Sequence, residues 1–234
     1  MKKVIVTTSW DDGHVLDLKL AQLLKKYNLK GTFYIAPECH EILPQDRLSQ
    51  VQVLALSKDF EIGAHTMTHP DMRLLTDEQI EREISDSKKL LEKWTGGSVK
   101  SFCYPSGKYL LKQKQVVREA GFVLARTVRR FSFGFIKDLY EMPTSIHTYD
   151  HWLDAWQIAL FVRFNPFKFF QYYRHWDNLA IAMFERVSEN GGVFHIWGHS
   201  WEIEKLKDWN RLERVFQHIA NKAGVEYLTN GKLV

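Results

Sequence analysis

The sequence predicts an α/β fold: a distorted (β/α)7-8 barrel of parallel strands that carries an aromatic-rich helical insertion at about residues 150–190. Short β-branched or aromatic runs alternate with longer stretches of helical periodicity, as parallel strands joined by crossover helices require. Seven or eight such units in one chain favour a barrel over an open sheet. The insertion is read from roughly fifty residues between the strands expected near Leu139 and Val193, far more than an ordinary connection needs.

Taken in order, Lys3–Ser9 is a strand, Val15–Tyr27 a helix, and Gly31–Ala36 and Phe60–Ala64 are strands. Asp77–Trp94 is a helix, because Ile80, Ile84, Leu91 and Trp94 recur at helical spacing behind a Thr76/Gln79 capping box. Strands follow at Ser101–Tyr104, Phe122–Thr127, Leu139–Met142, Gly192–Trp197 and Val225–Leu228, with helices at Leu110–Ala120 and Leu212–Ala223. The insertion reads as two helices separated at Asn165-Pro166, where Pro suits a first helical position.

The 234 residues are 45% hydrophobic, 14% aromatic and 26% charged, with a net charge of +4. That describes one well-packed domain over residues 1–234 and excludes disorder and collagen-like repeats. Cys39 and Cys103 are too few for a disulfide framework, and no C-x-x-C pair suggests a zinc ribbon. No apolar run approaches the roughly 18 residues of a membrane helix. The apolar run at Val4–Val6 is shorter than a signal-peptide core, which predicts a cytoplasmic protein whose membrane association is at most peripheral. The basic residues are spread along the chain, so nucleic-acid binding is not expected.

In a barrel of this kind chemistry gathers where strands end. The first strand runs into Trp10-Asp11-Asp12-Gly13, two adjacent carboxylates that either cap the next helix or serve a site holding a cation or strong donors. The third runs into His65-Thr66-Met67-Thr68-His69-Pro70. Thr66 stands where a metalloprotease helix needs Glu, and Pro70 disfavours helical geometry at His69, so the two imidazoles project from a loop. Two imidazoles beside a carboxylate suit a divalent transition metal with positions left open for water. The fourth strand ends in Phe102-Cys103-Tyr104-Pro105-Ser106-Gly107, and a late one in His195-Ile196-Trp197-Gly198-His199-Ser200-Trp201-Glu202. His195 falls inside the apolar strand pattern; His199 lies past it, better placed to reach a substrate.

These four motifs, in this order from about residue 4 to 202, resemble the polysaccharide deacetylase superfamily of carbohydrate esterases. The resemblance implies Asp11 as general base, and Asp12, His65 and His69 as ligands of a divalent metal, zinc first, with cobalt, nickel or iron also suited. It implies a substrate wall at Phe102–Gly107, including Pro105, with the Tyr104 backbone N–H offered to the oxyanion, and a histidine general acid, His199 with His195 in reserve. Trp197 and Trp201 flank the expected site. Cys103 stands where many members carry Arg; Arg126 either replaces that guanidinium or is a surface residue. Glu202 either orients His199 or faces solvent.

The activity so implied is removal of an N-acyl group, such as acetyl, from an N-acylated sugar or oligosaccharide. The alternatives are a hydrolase of small cyclic amides or imides, and a barrel that binds carbohydrate without turnover. The segment Trp152–Trp176, with Arg163, Lys168 and Arg174 interspersed, reads as a sugar-stacking wall or interfacial helix, or as a hairpin burying its aromatics on the barrel or in a homo-oligomer.

Overall fold

The computed structural model describes residues 2–234. Its first strand, β1 (Val4–Asp12), is buried at all nine positions, as befits a strand covered on both faces of a parallel sheet. After it come α1 (Asp17–Lys26), β2 (Thr32–Ile35), α2 (Gln50–Ser57), β3 (Glu61–Ala64), α3 (Asp77–Thr95), β4 (Ser101–Cys103), α4 (Leu111–Glu119) and β5 (Leu124–Arg126). β6 (Ile146–His147) precedes three consecutive helices, α5 (Ala155–Phe161), α6 (Pro166–Tyr172) and α7 (Trp176–Asn190). β7 (Gly192–Gly198), α8 (Ser200–Leu206), α9 (Trp209–Ile219) and β8 (Val225–Tyr227) complete the order.

Every strand pair is parallel, and the sheet runs β5-β4-β3-β2-β1-β7-β6. β1 pairs with β2 only over Ser9–Asp12; β8 takes the same edge lower down, at Val4–Val6. The two outer edges meet along residues 142–147. Met142 bridges Arg126 of β5, and Ile146–His147 pair with Ile196–Trp197 of β7, so one short segment draws the sheet round into the distorted barrel expected from sequence. The core fills from α3 (Ile80, Ile84, Leu91), α7 (Leu179, Met183, Phe184) and α9 (Leu212, Val215, Phe216, Ile219) against the strands. Each such side chain contributes about 1.5–3 kcal/mol through burial.

The Thr76/Gln79 capping box forms as read, and α3 stops at Gly96 in the left-handed region, φ 69°. Other elements differ from expectation. Leu139–Glu141 is a 3-10 turn and no strand, because Asp138 accepts the Tyr140 N–H at 2.9 Å and Pro143 removes the next donor; the strand proper is β6. α2 and α8 lack a clean apolar stripe, with Val51 and Leu54 exposed, and the periodicity passes over both. The insertion breaks where expected, Asn165 accepting the Lys168 N–H at 3.1 Å to cap α6, but three helices follow instead of two. Arg174 at φ 59° ends the second, and α7 is the crossover helix that returns the chain to β7.

Candidate active site

Because the strands are parallel, the ends of β1, β3, β4, β5, β6 and β7 converge on one face. Asp12 sits at φ 81° and Gly13 at φ 79°, a left-handed pair that ends β1 abruptly. A Cβ on Gly13 would stand 2.8 Å from Ile35 Cγ2, so glycine is required at that turn. Asp11 and Asp12 are both buried there.

Asp12 Oδ1 has no hydrogen-bond partner among the described residues, while its Oδ2 accepts the Trp201 indole N–H at 3.0 Å. Two imidazole nitrogens face the orphaned oxygen: Nε2 of His65 and Nε2 of His69 each lie 3.7 Å from it. The other nitrogen of each ring is engaged, His65 Nδ1 donating to the Cys103 carbonyl at 2.7 Å and His69 Nδ1 to the Glu41 carboxylate at 3.1 Å. Both Nε2 lone pairs therefore point inward, the arrangement that second-sphere acceptors impose on metal-bound imidazoles. Burial, with His69 beside it, lowers the pKa of His65 to about 4, so the ring is neutral and able to ligate. The donors fit a divalent cation. Cys39 Sγ lies close to Asp12 and His69, but burial and Asp12 push its thiol up to about 11.

The loop that carries the histidines is held from α3. Glu83 accepts the Met67 and Thr68 N–H groups at 2.8 and 2.9 Å and the Thr68 hydroxyl at 2.7 Å. Thr66 at φ 63° and His69 at φ 61° are both left-handed, which turns the two rings toward each other at 4.8 Å between centroids.

Asp11 faces the other way. Its Oδ2 pairs with the Arg126 guanidinium, which is fully buried, also 2.9 Å from Cys103 Sγ and over the Trp197 ring at 4.6 Å. The surface alternative for Arg126 is thereby removed, and its guanidinium is paired with Asp11 beside Cys103. Burial would raise the Asp11 pKa, but Arg126 with His65 and His199 holds it down at about 2. Its Oδ1 has no partner among the described residues.

On the far side of Asp12, His199 is partly exposed, with Nε2 3.9 Å from Asp12 Oδ2 and Nδ1 3.2 Å from Glu202. Against the effect of burial, Asp12 and Glu202 raise its pKa to about 9. Glu202 does not face solvent: it lies between His199 and His147 Nε2 at 3.1 Å, and His147 Nδ1 meets His151 Nε2 at 2.7 Å. Burial would raise the Glu202 pKa, but His147 and His199 hold it at about 2.

Three expected placements change. His195 points into the barrel, its Nε2 2.8 Å from Ser9 Oγ, and burial lowers its pKa to about 3, so it cannot stand in for His199. The Tyr104 N–H is spent on the Arg126 carbonyl at 3.2 Å; the next N–H in that turn belongs to exposed Ser106, at φ 52°. Trp197 is buried and stacked on His147 at 4.0 Å, separating it from Arg126, and does not line a wall. Trp201 and Glu41 line a cavity of about 220 Å³ with His14, Ile42, Leu43 and Asp46, opening beside the histidines. A larger cleft, about 1030 Å³ between the α5–α6 hairpin and α7, shares no residue with the site. Glu41, Glu83, His147 and His151 carry no local motif, and sequence reading misses them.

The polysaccharide deacetylase family model matches residues 1–125, more than half of the chain. This chain belongs to the polysaccharide deacetylase family. Within curated relatives, a peptidoglycan-N-acetylglucosamine deacetylase of Bacillus cereus is 27% identical over 126 residues, 53% of this polysaccharide deacetylase family chain and 44% of that relative's length. Among solved structures, the Xyl-CE4 domain of a xylanase from the hindgut metagenome of Trinervitermes trinervoides superposes with a TM-score of 0.61 at 13% identity, covering 100% of this chain and 90% of that one. A Streptococcus pyogenes deacetylase in complex with acetate gives 0.53 at 22%, covering 58% and 62%. At these identities the structural likeness is one of fold.

Proposed function

We propose that this chain is a metal-dependent hydrolase that removes the N-acyl group, acetyl in the first instance, from an N-acylated sugar or oligosaccharide. One observation carries the reading: the unpartnered Asp12 Oδ1 stands 3.7 Å from two inward-facing imidazole nitrogens, with a charge-held aspartate on one side and a raised histidine on the other. Asp12, His65 and His69 would hold the ion, zinc being the first choice and cobalt, nickel or iron also compatible with this donor set. Bound there, a divalent cation supplies Lewis-acid polarisation of an amide carbonyl and activation of water.

The chain's own groups supply the remainder. Asp11, ionised at neutral pH through Arg126, presents the unpartnered Oδ1 that takes a proton from the attacking water. The Ser106 N–H is the backbone donor for the oxyanion, in place of the engaged Tyr104 N–H. His199, kept protonated by Asp12 and Glu202, gives its Nε2 proton to the departing amine. Trp201 borders the place where the sugar would lie.

The test pairs elemental analysis with acetate release from N-acetylglucosamine oligomers, with small cyclic amides assayed in parallel. Asp12→Ala and His65→Ala are expected to lose bound metal, whereas Asp11→Asn keeps metal and loses about 10²–10⁴-fold in rate. Metal-replete protein that opens cyclic amides and leaves the sugars untouched would move the assignment to the imide hydrolases. Stoichiometric metal with neither activity would leave a barrel that only binds.

A further inference from the structure

The α5–α6 hairpin is apolar on both faces. Its inner face, Ile158, Phe161, Val162, Phe169 and Tyr172, packs on the core or against its edge. Its outer face exposes Trp152, Leu153, Trp156, Leu160, Phe164, Phe167 and Phe170, with Phe167 86% and Trp152 70% accessible. A helical element apolar all round needs a cover on its free side.

The charges at the rim of that face say what the cover is. Arg163, Lys168 and Arg174 are exposed and none forms an ion pair among the described residues; Arg163 and Lys168 stand at the rim of the face, where the hairpin borders the cleft toward α7 that also holds Glu185 and Glu189. The one acidic residue between 152 and 175, Asp154, is half-buried and already bound by Arg130 at 3.1 Å. A second copy of the chain would set this patch against itself and bring its unpaired cations together, since a two-fold interface is self-complementary. A neutral sugar chain makes no use of three free cations. An anionic lipid surface accepts both halves of the pattern, apolar rings into the headgroup boundary and cations against phosphates. Two tryptophans on the outer face are the residues favoured at that depth. Each helix has seven residues, about 10 Å long, so the hairpin lies in the surface and does not cross it.

We propose that the outer face of α5–α6 seats this protein on an anionic lipid bilayer. The face begins at Trp152, directly after His151, whose ring meets His147 beside the proposed acid His199. Docking therefore brings the mouth of the site to the headgroup level. On the deacetylase reading, and resting on it, the substrate is an acylated sugar carried on a lipid.

Flotation with vesicles of phosphatidylcholine alone, or with about 30 mol% phosphatidylglycerol, tests the docking without any turnover. The wild-type chain is expected to partition about a hundredfold more strongly into the anionic vesicles than into the neutral ones, and less as salt rises. Arg163→Gln with Lys168→Gln should weaken that binding about thirtyfold, the loss expected for two surface cations. Trp156→Ser, Phe167→Ser and Phe170→Ser together should abolish it, while metal content and acetate release from soluble oligomers stay at wild-type values. Wild-type protein that stays out of both vesicles overturns the proposal, as does a concentration-dependent dimer that the triple variant dissolves. A triple variant that floats normally but fails on soluble oligomers also overturns it, in favour of a sugar-binding wall. Because flotation reads no chemistry, failure of the deacetylase assignment would leave its outcome intact.

Discussion

At the scale of single residues, Arg126 is the hinge of the proposed chemistry. It is fully buried with one carboxylate partner, and such pairs are costly to break, about 3–5 kcal/mol, because the survivor is left as an unpaired buried charge. Arg126→Met is expected to lower stability by that amount and to cut the rate as deeply as Asp11→Asn, since an unpaired buried Asp11 takes up a proton and ceases to be a base. Metal binding should survive. Thermal unfolding of Arg126→Met with Asp11→Asn added should recover much of the lost stability, and a double variant no better than Arg126→Met would remove the pairing from the account. Asp17 gives a prediction in pH. It is fully buried, neither oxygen has a hydrogen-bond partner among the described residues, and burial pushes its pKa well above the ordinary range, with the nearby Ser200 hydroxyl offsetting this only in part. The folded state therefore keeps a proton that the unfolded state releases above about pH 4, so this group's stabilising contribution is complete below that pH and is lost as pH rises. Asp17→Asn should be more stable than wild type at pH 8 by on the order of 1–3 kcal/mol, with the gain vanishing near pH 4. A gain that persists unchanged at pH 4 would refute the protonation argument.

At the scale of elements, the loop from His65 to His69 is held in a strained shape by main-chain bonds from Glu38 and His40, by Glu41, and by three bonds to one carboxylate on a different element, Glu83 of α3. Glu83→Gln keeps the shape but loses the charge and one acceptor, so metal affinity should fall about 10–100-fold while the melting curve of the barrel moves little. Competition against a chelator measures it, and unchanged affinity would mean the loop holds its form without Glu83. The same loop shows what a sequence discloses. The two histidines and the proline are a local pattern, and so are the Asp pair with its glycine and the capping box at Thr76, because each is decided by neighbours a few residues away. Glu83, Glu41 and the Trp201 bond to Asp12 arise only when distant elements close, and no spacing announces them. His195 and Trp197 illustrate the converse: they sit beside a motif residue in sequence, but strand alternation and the burial of β7 turn them into the barrel. Leu139–Met142 reads as a strand by composition, yet a capping aspartate and a following proline decide the backbone first.

At the scale of the whole molecule, the two ends of the insertion are tied together by a staple, in addition to the core packing of Ile158 and the Arg130–Asp154 pair. The chain leaves the barrel at Asp150 and returns at Trp176, and the two ends touch, the Trp176 N–H reaching Asp150 at 2.7 Å. Arg211, on α9, binds Asp150, Asp177 and Asp208 at 3.0, 3.0 and 2.9 Å, and the Trp176 indole N–H adds a bond to Asp208 at 2.9 Å. One guanidinium thus fixes both ends of the insertion and the start of α9, which packs against α7, the crossover helix leading into β7. Without it Asp177 keeps Arg214, Asp208 keeps the Trp176 indole N–H and Asp150 keeps the Trp176 backbone N–H, so Arg211→Ala should cost about 1–3 kcal/mol. The damage should be uneven. The proposed metal ligands sit at the end of β1 and in the loop that follows β3, away from the staple residues, so the amides of β1, β2 and β3 should keep their protection from hydrogen exchange, and metal content should be normal. Amides of α5, α6 and the first turn of α7 should exchange faster, because the variant removes one of the anchors that hold them to the barrel. Uniform loss of protection across β1 and α6 together would show that hairpin and barrel unfold as one unit, and that the staple serves the whole fold and not the attachment of the hairpin.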